Sequence, residues 1–181
     1  MPGGTKHTPV KGSHTVIGID PGLADTGVGL INGRGRQIVH YAYGSVHTEK
    51  GLTLGERLDC IYKRLRDALQ DAAPDLMVVE DVFSLRRYPK SGILLGEVTG
   101  VILLAGYHQD VPTVQVAARE AKQILTGNGN ASKSQLEMAV RHTLNCGAPI
   151  KPSHAADALG LALIGLFRFE RLCEKDTYRE G

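Results

Sequence analysis

The first part of the chain alternates apolar and glycine-rich segments in a way that predicts strands. "TVIGID" is apolar almost throughout, which is typical of a central strand covered on both faces, and "PG" follows it as a turn. "TGVGLIN" and "QIVHYAYGSV" lie on either side of "GRGR" and predict two more strands joined by a hairpin. Together the three strands predict an antiparallel meander at the start of the domain.

From residue 53 onward the apolar positions recur at the spacing of a helix. Five of them lie on one helical face: Leu54, Leu58, Ile61, Leu65 and Leu69. Thr53 and Glu56 fit a capping box at the start of this helix. The later pattern predicts strands over 74–81 and 111–117 and helices over 91–106, 119–125, 134–144 and 154–172.

This order of elements predicts an α/β fold with a five-stranded mixed sheet, made of the three-strand antiparallel meander plus two parallel strands and flanked by helices. Connections between parallel strands are right-handed in nearly all proteins, so the fourth strand is expected beside the first and parallel to it. Asp20 ends the first strand, and Glu80 lies near the end of the fourth. Both carboxylates are therefore expected at one sheet edge, where open α/β sheets usually bind ligands.

A third carboxylate, Asp157, stands in an otherwise apolar helix. Its neighbours leave little polar surface, and His154 lies three positions earlier on the same helical face. Adjacent carboxylates repel each other unless a proton or a cation compensates their charge. Three carboxylates and one imidazole suit Mg²⁺ or Mn²⁺ better than a metal that prefers thiolates. The sequence therefore predicts a metal site that combines these two residues with the acids at the sheet edge.

Each of the three acids also has an ordinary structural explanation. Asp20 can form the turn before "PG", and Glu80 can be a solvated residue at a strand end. Asp157 can favour the positive end of the helix dipole. The three acids are expected to meet in one fold, two at a sheet edge and the third from the last helix. Their joint occurrence favours a metal site over three separate structural explanations.

Composition and charge place the chain among ordinary globular proteins. Its 181 residues are 42% hydrophobic, which supports one domain over 15–172, with flexible tails expected over 1–14 and 173–181. The net charge of +2 restricts any DNA contact to local basic clusters. The longest apolar run is interrupted by Glu97 and by glycines, so no membrane association is expected. The cysteines show no paired spacing, which favours a reducing, cytoplasmic compartment.

Four segments of the chain, in this order and spacing, resemble the RuvC-type Holliday junction resolvases. They are "IGIDPGLADTGVGLI", "VVEDVF", "AAREAKQILTGNGNASKSQ" and "SHAADALGLAL", and they span nearly the whole predicted domain. The resemblance implies an RNase H-like fold, a homodimer, and an acidic quartet that binds divalent metal to cut four-way junction DNA. It also implies a RuvA–RuvB branch-migration complex as a partner and a bacterial, nucleoid-associated location.

The resemblance assigns a role to each candidate metal ligand. Asp20 matches the family's first catalytic Asp, Glu80 its strand-end Glu, and Asp157 the Asp of the last helix. His154 occupies the fourth position, where many members carry Asp, and its imidazole predicts a tolerance for Mn²⁺ beside the expected Mg²⁺. The mechanism implied is phosphodiester hydrolysis with two ions in the site, which leaves 5′-phosphate and 3′-hydroxyl ends.

The resemblance also assigns residues to the DNA. Lys122 and Lys133 match lysines near the scissile phosphate, and Phe83 matches an aromatic residue that stacks on bases near the junction. A solvated surface lysine and a core phenylalanine are the ordinary alternatives. Arg86 and Arg87 follow in a basic segment that can grip backbone phosphates.

One segment departs from the family pattern. Many members carry Gln and Arg where "GEVTG" places Glu97 and Thr99, so a positive charge is missing from this helix. Binding of the junction is therefore expected to differ from that of those members, whereas the four metal ligands are unaffected.

Two other functions fit parts of the sequence. Actin and sugar-kinase ATP-binding proteins also begin with a strand, an Asp and a glycine-rich hairpin, but they need two such domains. A junction-binding protein without nuclease activity would keep the fold and lose the acids, which this chain retains. "GNGNASKS" misses the phosphate-binding loop pattern because Ser132 replaces the required Gly.

Overall fold

The computed structural model describes residues 12–81 and 89–169, and these residues form ten regular elements. The strands are β1 (His14–Asp20), β2 (Asp25–Arg34), β3 (Gln37–His47), β4 (Leu76–Asp81) and β5 (Thr113–Ala117). The helices are α1 (Leu54–Ala72), α2 (Pro89–His108), α3 (Ala118–Thr126), α4 (Lys133–Leu144) and α5 (Ser153–Phe167). The predicted order of strands and helices is confirmed.

The strands form one mixed sheet in the order β3-β2-β1-β4-β5. β1 pairs with β2, and β2 with β3, in the antiparallel direction, which is the predicted meander. β4 pairs with β1 and with β5 in the parallel direction, as the right-handed crossover requires. Val16 lies opposite Leu76 and Ile19 opposite Val79, so the carboxyl ends of β1 and β4 meet at the same edge.

Alternate residues of each strand face two separate layers of helices. Ile17 and Ile19 pack with α1 and α2 on one face, in a core that also contains Leu65. Val16 packs on the other face, against α5 and the helices beyond it. Asp20 belongs to the second set by the same alternation, so it points toward the layer that contains α5. None of the helices within the described residues is long and apolar enough to cross a membrane.

Helix α5 lies directly on the backbone of β1 and β2. A Cβ atom added to Gly18 would lie 2.1 Å from the carbonyl oxygen of Ala158, and one added to Gly27 would lie 2.1 Å from that of His154. A Cβ atom added to Gly29 would lie 2.5 Å from the backbone nitrogen of Leu159. The glycines of the meander therefore allow a close approach that no other residue would permit.

The helix boundaries follow local capping interactions. The Thr53 side chain accepts a hydrogen bond from the Glu56 amide, and Glu56 accepts one from the Thr53 amide, so the predicted capping box is confirmed. Helix α5 ends at Phe167, because Arg168 leaves helical geometry with φ −116° and ψ 11°. The sequence predicted one helix up to residue 172, of which residues 170–172 lie outside the described residues. β1 begins at His14, the last residue of the predicted N-terminal tail. Residues 1–11 of that tail and the whole predicted C-terminal tail over 173–181 lie outside the described residues, so the domain boundary stays a prediction.

We expect Gly18→Ala to destabilise the protein by about 1–3 kcal/mol, because the added methyl group would meet backbone atoms that can move only if α5 shifts. Urea denaturation followed by circular dichroism measures the change in the free energy of unfolding. Gly44→Ala in β3 is the matched control, since a Cβ atom there meets nothing within 4 Å. Equal effects of the two substitutions would contradict the close approach of α5.

Candidate metal centre

The strand register brings the two predicted carboxylates together. If the pairing of β1 with β4 is continued by one residue, Asp20 comes opposite Glu80. The two side chains line the same cleft of about 130 Å³ and share a hydrogen bond. Asp20 is only 6% exposed, because the sheet and α5 cover it. The expected meeting of these acids at the sheet edge is confirmed.

Helix α5 supplies the two other predicted ligands from its first turns. His154 Nδ1 lies 2.6 Å from Asp20 Oδ2. One possible ligand atom from each of Asp20, His154 and Asp157 lies within 4.8 Å of the others. Glu80 joins this trio through its hydrogen bond to Asp20. The four residues, called the acidic cluster below, thus converge from three elements that are remote along the chain.

Burial and mutual repulsion hold protons on this cluster. Burial raises the pKa of Asp20 to about 6; a hydrogen bond from Glu80 counteracts this shift, the charge of Asp157 adds to it, and that of Lys133 opposes it. The pKa of Glu80 is raised to about 8, first by burial and then by its hydrogen bond to Asp20 and by the nearby negative charges. At neutral pH, Glu80 is therefore protonated and donates to Asp20 when no cation is bound.

The donor set suits a hard divalent cation. Carboxylate oxygens are the ligands that Mg²⁺ and Mn²⁺ prefer, and one imidazole is compatible with Mn²⁺ in particular. The shared proton between Asp20 and Glu80 compensates charge that a cation would otherwise compensate. The cleft also remains open to the surface, so an ion can enter it. These residues therefore fit a divalent metal site, and the acids at the sheet edge are more than solvated strand ends.

Two lysines, both assigned to the DNA by the resemblance, line the same cleft. Lys133 Nζ donates a hydrogen bond to Asp157 Oδ2 over 3.0 Å, while Lys122 reaches the cleft from α3. Burial alone would lower the pKa of Lys133, but the hydrogen bond to Asp157 and the other negative charges outweigh it and raise the pKa. Both lysine side chains therefore bring positive charge to the cleft that contains the acidic cluster.

The position of Lys133 follows from a helix start that the sequence analysis missed. Helix α4 begins at Lys133, one residue earlier than predicted, because Ser132 caps it in a capping box with Gln135. The spacing of Ser and Gln in "SKSQ" is the signal that could have revealed this. Ser132 thus has a structural role where a phosphate-binding loop would need Gly.

The other three predicted DNA contacts, Phe83, Arg86 and Arg87, lie outside the described residues. Within α2, Thr99 is 3% exposed and donates a hydrogen bond to the Leu95 carbonyl, so it faces the core and not a partner.

Comparison with known proteins gives a family match over most of the chain. The family model described as crossover junction endodeoxyribonuclease RuvC matches residues 16–165. A protein of that name from Rhodopirellula baltica is 37% identical over 150 residues, which is 83% of this chain and 84% of the relative.

Solved structures give the same result for the fold. The structure of Thermus thermophilus RuvC in complex with Holliday junction substrate matches with a TM-score of 0.81 and 30% identity, covering 87% of this chain and 96% of that one. The yeast mitochondrial Holliday junction resolvase Ydc2 matches with a TM-score of 0.61 at 11% identity, which concerns the fold alone. The RNase H-like fold expected from the resemblance is thereby confirmed.

In the absence of divalent cations, the free energy of unfolding contributed by the cluster is expected to fall as the pH rises from about 4 to about 8. Folded Asp20 and Glu80 hold protons over a range in which the unfolded chain has released them, so unfolding releases protons and becomes more favourable at higher pH. Glu80→Gln should reduce this fall by on the order of 2 kcal/mol.

Urea denaturation in chelator, repeated over a series of pH values, measures the difference between the wild type and Glu80→Gln. Glu49→Gln, at an exposed position in the loop after β3, is the control. The interpretation fails if Glu80→Gln and Glu49→Gln show the same pH dependence as the wild type.

Proposed function

The chain belongs to the RuvC family of crossover junction endodeoxyribonucleases, and we propose that it resolves four-way DNA junctions with the acidic cluster as its catalytic centre. The observation that carries this proposal is the convergence of Asp20, His154 and Asp157 within 4.8 Å, with Glu80 hydrogen-bonded to Asp20. As a member of this family the protein is a nuclease, and its substrate class is the Holliday junction that the Thermus thermophilus relative binds.

Asp20 is the proposed central ligand of the site. It lies on the central strand β1, and it contacts both Glu80 of β4 and His154 of α5. Divalent cations held there would supply an activated water and stabilise the leaving 3′ oxygen of the phosphodiester. Glu80 and Asp157 complete the set of carboxylate ligands around the cleft. Cutting by this route leaves 5′-phosphate and 3′-hydroxyl ends.

Lys133 and Lys122 are the proposed phosphate contacts. In the absence of DNA, Lys133 Nζ neutralises part of the charge on Asp157. A phosphate brought to the cleft would compete for the same ammonium group, which is a compact charge on a flexible stem and can turn toward it. Lys122 lines the cleft from α3 and offers a second cation to the same DNA strand. Both lysines position the substrate against the acids.

The proposed cofactor is Mg²⁺, with two ions in each site and with Mn²⁺ as a substitute. His154 carries one formal negative charge fewer than the Asp found in many members and offers a softer ligand atom. With the proton on Nδ1, where it donates to Asp20, the lone pair of His154 lies on Nε2. These properties favour Mn²⁺ more than an all-carboxylate site would.

The remaining DNA contacts are proposed on the resemblance alone. Phe83 is expected to stack on bases at the junction, while Arg86 and Arg87 contact backbone phosphates.

We propose a homodimer, since paired cuts need two active sites. Helix α2 supports this proposal because it carries an exposed apolar stripe, in which Ile93 is 65%, Leu104 47% and Tyr107 77% exposed. Glu97 and Gly100 continue the same helical face. A RuvA–RuvB branch-migration complex as a partner, and a cytoplasmic, nucleoid-associated location, complete the proposal.

The alternative functions have less support. A junction-binding protein without nuclease activity would not need four buried or half-buried ligands around one cleft. An ATP-binding protein of the actin type needs two facing domains, whereas the described residues form one sheet with two helical layers.

Asp20→Asn is expected to lower the rate of junction cutting at least about 100-fold, because it removes the central ligand and its charge. Wild type and variant are incubated with a synthetic mobile four-way junction, a linear duplex and Mg²⁺. The wild type should give paired symmetric nicks in the junction only, and the variant should bind the junction with similar affinity.

Asp110→Asn, in the turn before β5, is the matched control. Near-normal cutting by Asp20→Asn would remove Asp20 from the mechanism, and binding without nicking by the wild type would favour the non-cutting alternative.

His154→Asp is expected to raise the rate in Mg²⁺ relative to the rate in Mn²⁺, because a hard oxygen ligand replaces the imidazole. Single-turnover cutting in each metal gives the ratio for the variant and for the wild type. His142→Asp in α4 serves as the control, because it changes the same residue types away from the cleft. An unchanged ratio, or a wild type far more active in Mg²⁺ than in Mn²⁺, would count against His154 as the source of Mn²⁺ tolerance.

A further inference from the structure

A second, larger cavity begins where the acidic cluster ends. This groove has a volume of about 840 Å³, within the ~300–1,000 Å³ typical of ligand sites. It lies between α4 and the segment 149–153 that leads into α5. Lys133 and Asp157 line both the groove and the cleft of the cluster, so the two cavities adjoin at this pair. A chain that crosses the cluster can therefore continue into the groove.

Hydrogen bonds from α4 fix the outer wall of the groove. Arg141 donates to the carbonyl oxygens of Cys146 and Gly147, over 3.2 Å and 2.6 Å. Glu137 accepts a hydrogen bond from the Ile150 amide over 3.1 Å. These contacts hold the wall against α4, so the groove exists before any ligand arrives.

The charges around the groove leave one cation without a counter-charge. Arg141 lies 3.8 Å from Glu137, and Lys133 is paired with Asp157. Lys151 is exposed and makes no hydrogen bond or ion pair with other described residues. The groove thus has a net positive charge, which suits an anion. The rest of its wall is mainly apolar: Pro149, Ile150, Pro152 and Ala156.

We propose that this groove binds the nucleotides of the cut strand that adjoin the scissile phosphate, with Lys151 on a neighbouring phosphate. The mixture of an apolar wall and one cation matches a deoxyribose and base followed by a phosphate. Continuity with the acidic cluster favours the strand being cut over any other occupant. This inference rests on the proposed nuclease function, and it adds a strand-binding subsite with Lys151 as its phosphate contact.

Lys151→Ala tests the phosphate contact. The variant should raise the KM for a four-way junction about three- to five-fold and leave kcat unchanged. The slope of log binding constant against log salt concentration should become shallower by about one, which corresponds to the loss of one phosphate contact. Lys63→Ala is the matched control, because Lys63 is an exposed lysine on α1, in the helical layer across the sheet.

Junctions with one neutral methylphosphonate at a time, at each position near the cut, identify the phosphate. At one position, the methylphosphonate should weaken binding to the wild type but not binding to Lys151→Ala. At every other position, its effect on the two proteins should be the same. Lys63→Ala should reproduce the wild-type pattern in full.

Ser134→Trp tests the groove itself by filling it. Ser134 is an exposed groove residue in the first turn of α4, so a large side chain there blocks the space without replacing a core residue. The KM should rise while the unfolding midpoint in urea stays close to that of the wild type.

Two outcomes separate the subsite from the nuclease function. If the wild type cuts junctions normally but Lys151→Ala keeps the wild-type KM, salt dependence and methylphosphonate pattern, the subsite is wrong and the nuclease function stands. If the wild type cuts no junction, the nuclease function is wrong, and the subsite falls with it.

Discussion

Helix α5 lies on bare backbone at Gly18, Gly27 and Gly29, where the sheet has no side chains to hold the helix away. A helix normally packs on a sheet through interlocking side chains, and that spacing would carry His154 beyond contact with Asp20. At the observed distance the imidazole reaches the carboxylate over 2.6 Å. The metal ligands are therefore aligned by the packing of backbone on backbone, and the apolar residues of α5 stabilise that packing by their burial.

The same packing makes the ligands unfavourable partners for one another. Burial raises the pKa values of both Asp20 and Glu80, so the pair retains a proton, and Lys133 forms an ion pair with Asp157. A divalent cation and a DNA phosphate would replace the proton and the ammonium contact, respectively. The site is thus arranged for ligands that carry the opposite charges, at a cost to the stability of the unliganded protein.

Much of this arrangement could be predicted from the sequence. Strand alternation and the right-handed crossover were enough to place Asp20 beside Glu80, and the apolar surroundings of Asp157 marked it as unusual. The Lys133–Asp157 contact could not be predicted, because it depends on the path of the loop before α4 and on a side-chain rotamer. The close approach of α5 to the backbone of β1 and β2 could not be predicted, because glycines in a strand show only that side chains are missing there. They do not identify the element that packs against the strand.

Helix α4 is tied to α5 at one end and to the loop that leads into α5 at the other. Lys133 binds Asp157 at one end, and Arg141 holds the carbonyl oxygens of the connecting loop at the other. The segment from α4 through the loop to α5 is consequently held together as one structural unit. Grafting α5 alone onto a related scaffold would transfer the ligands without their alignment, so recombination between homologues should preserve function best when its crossover points fall outside this segment.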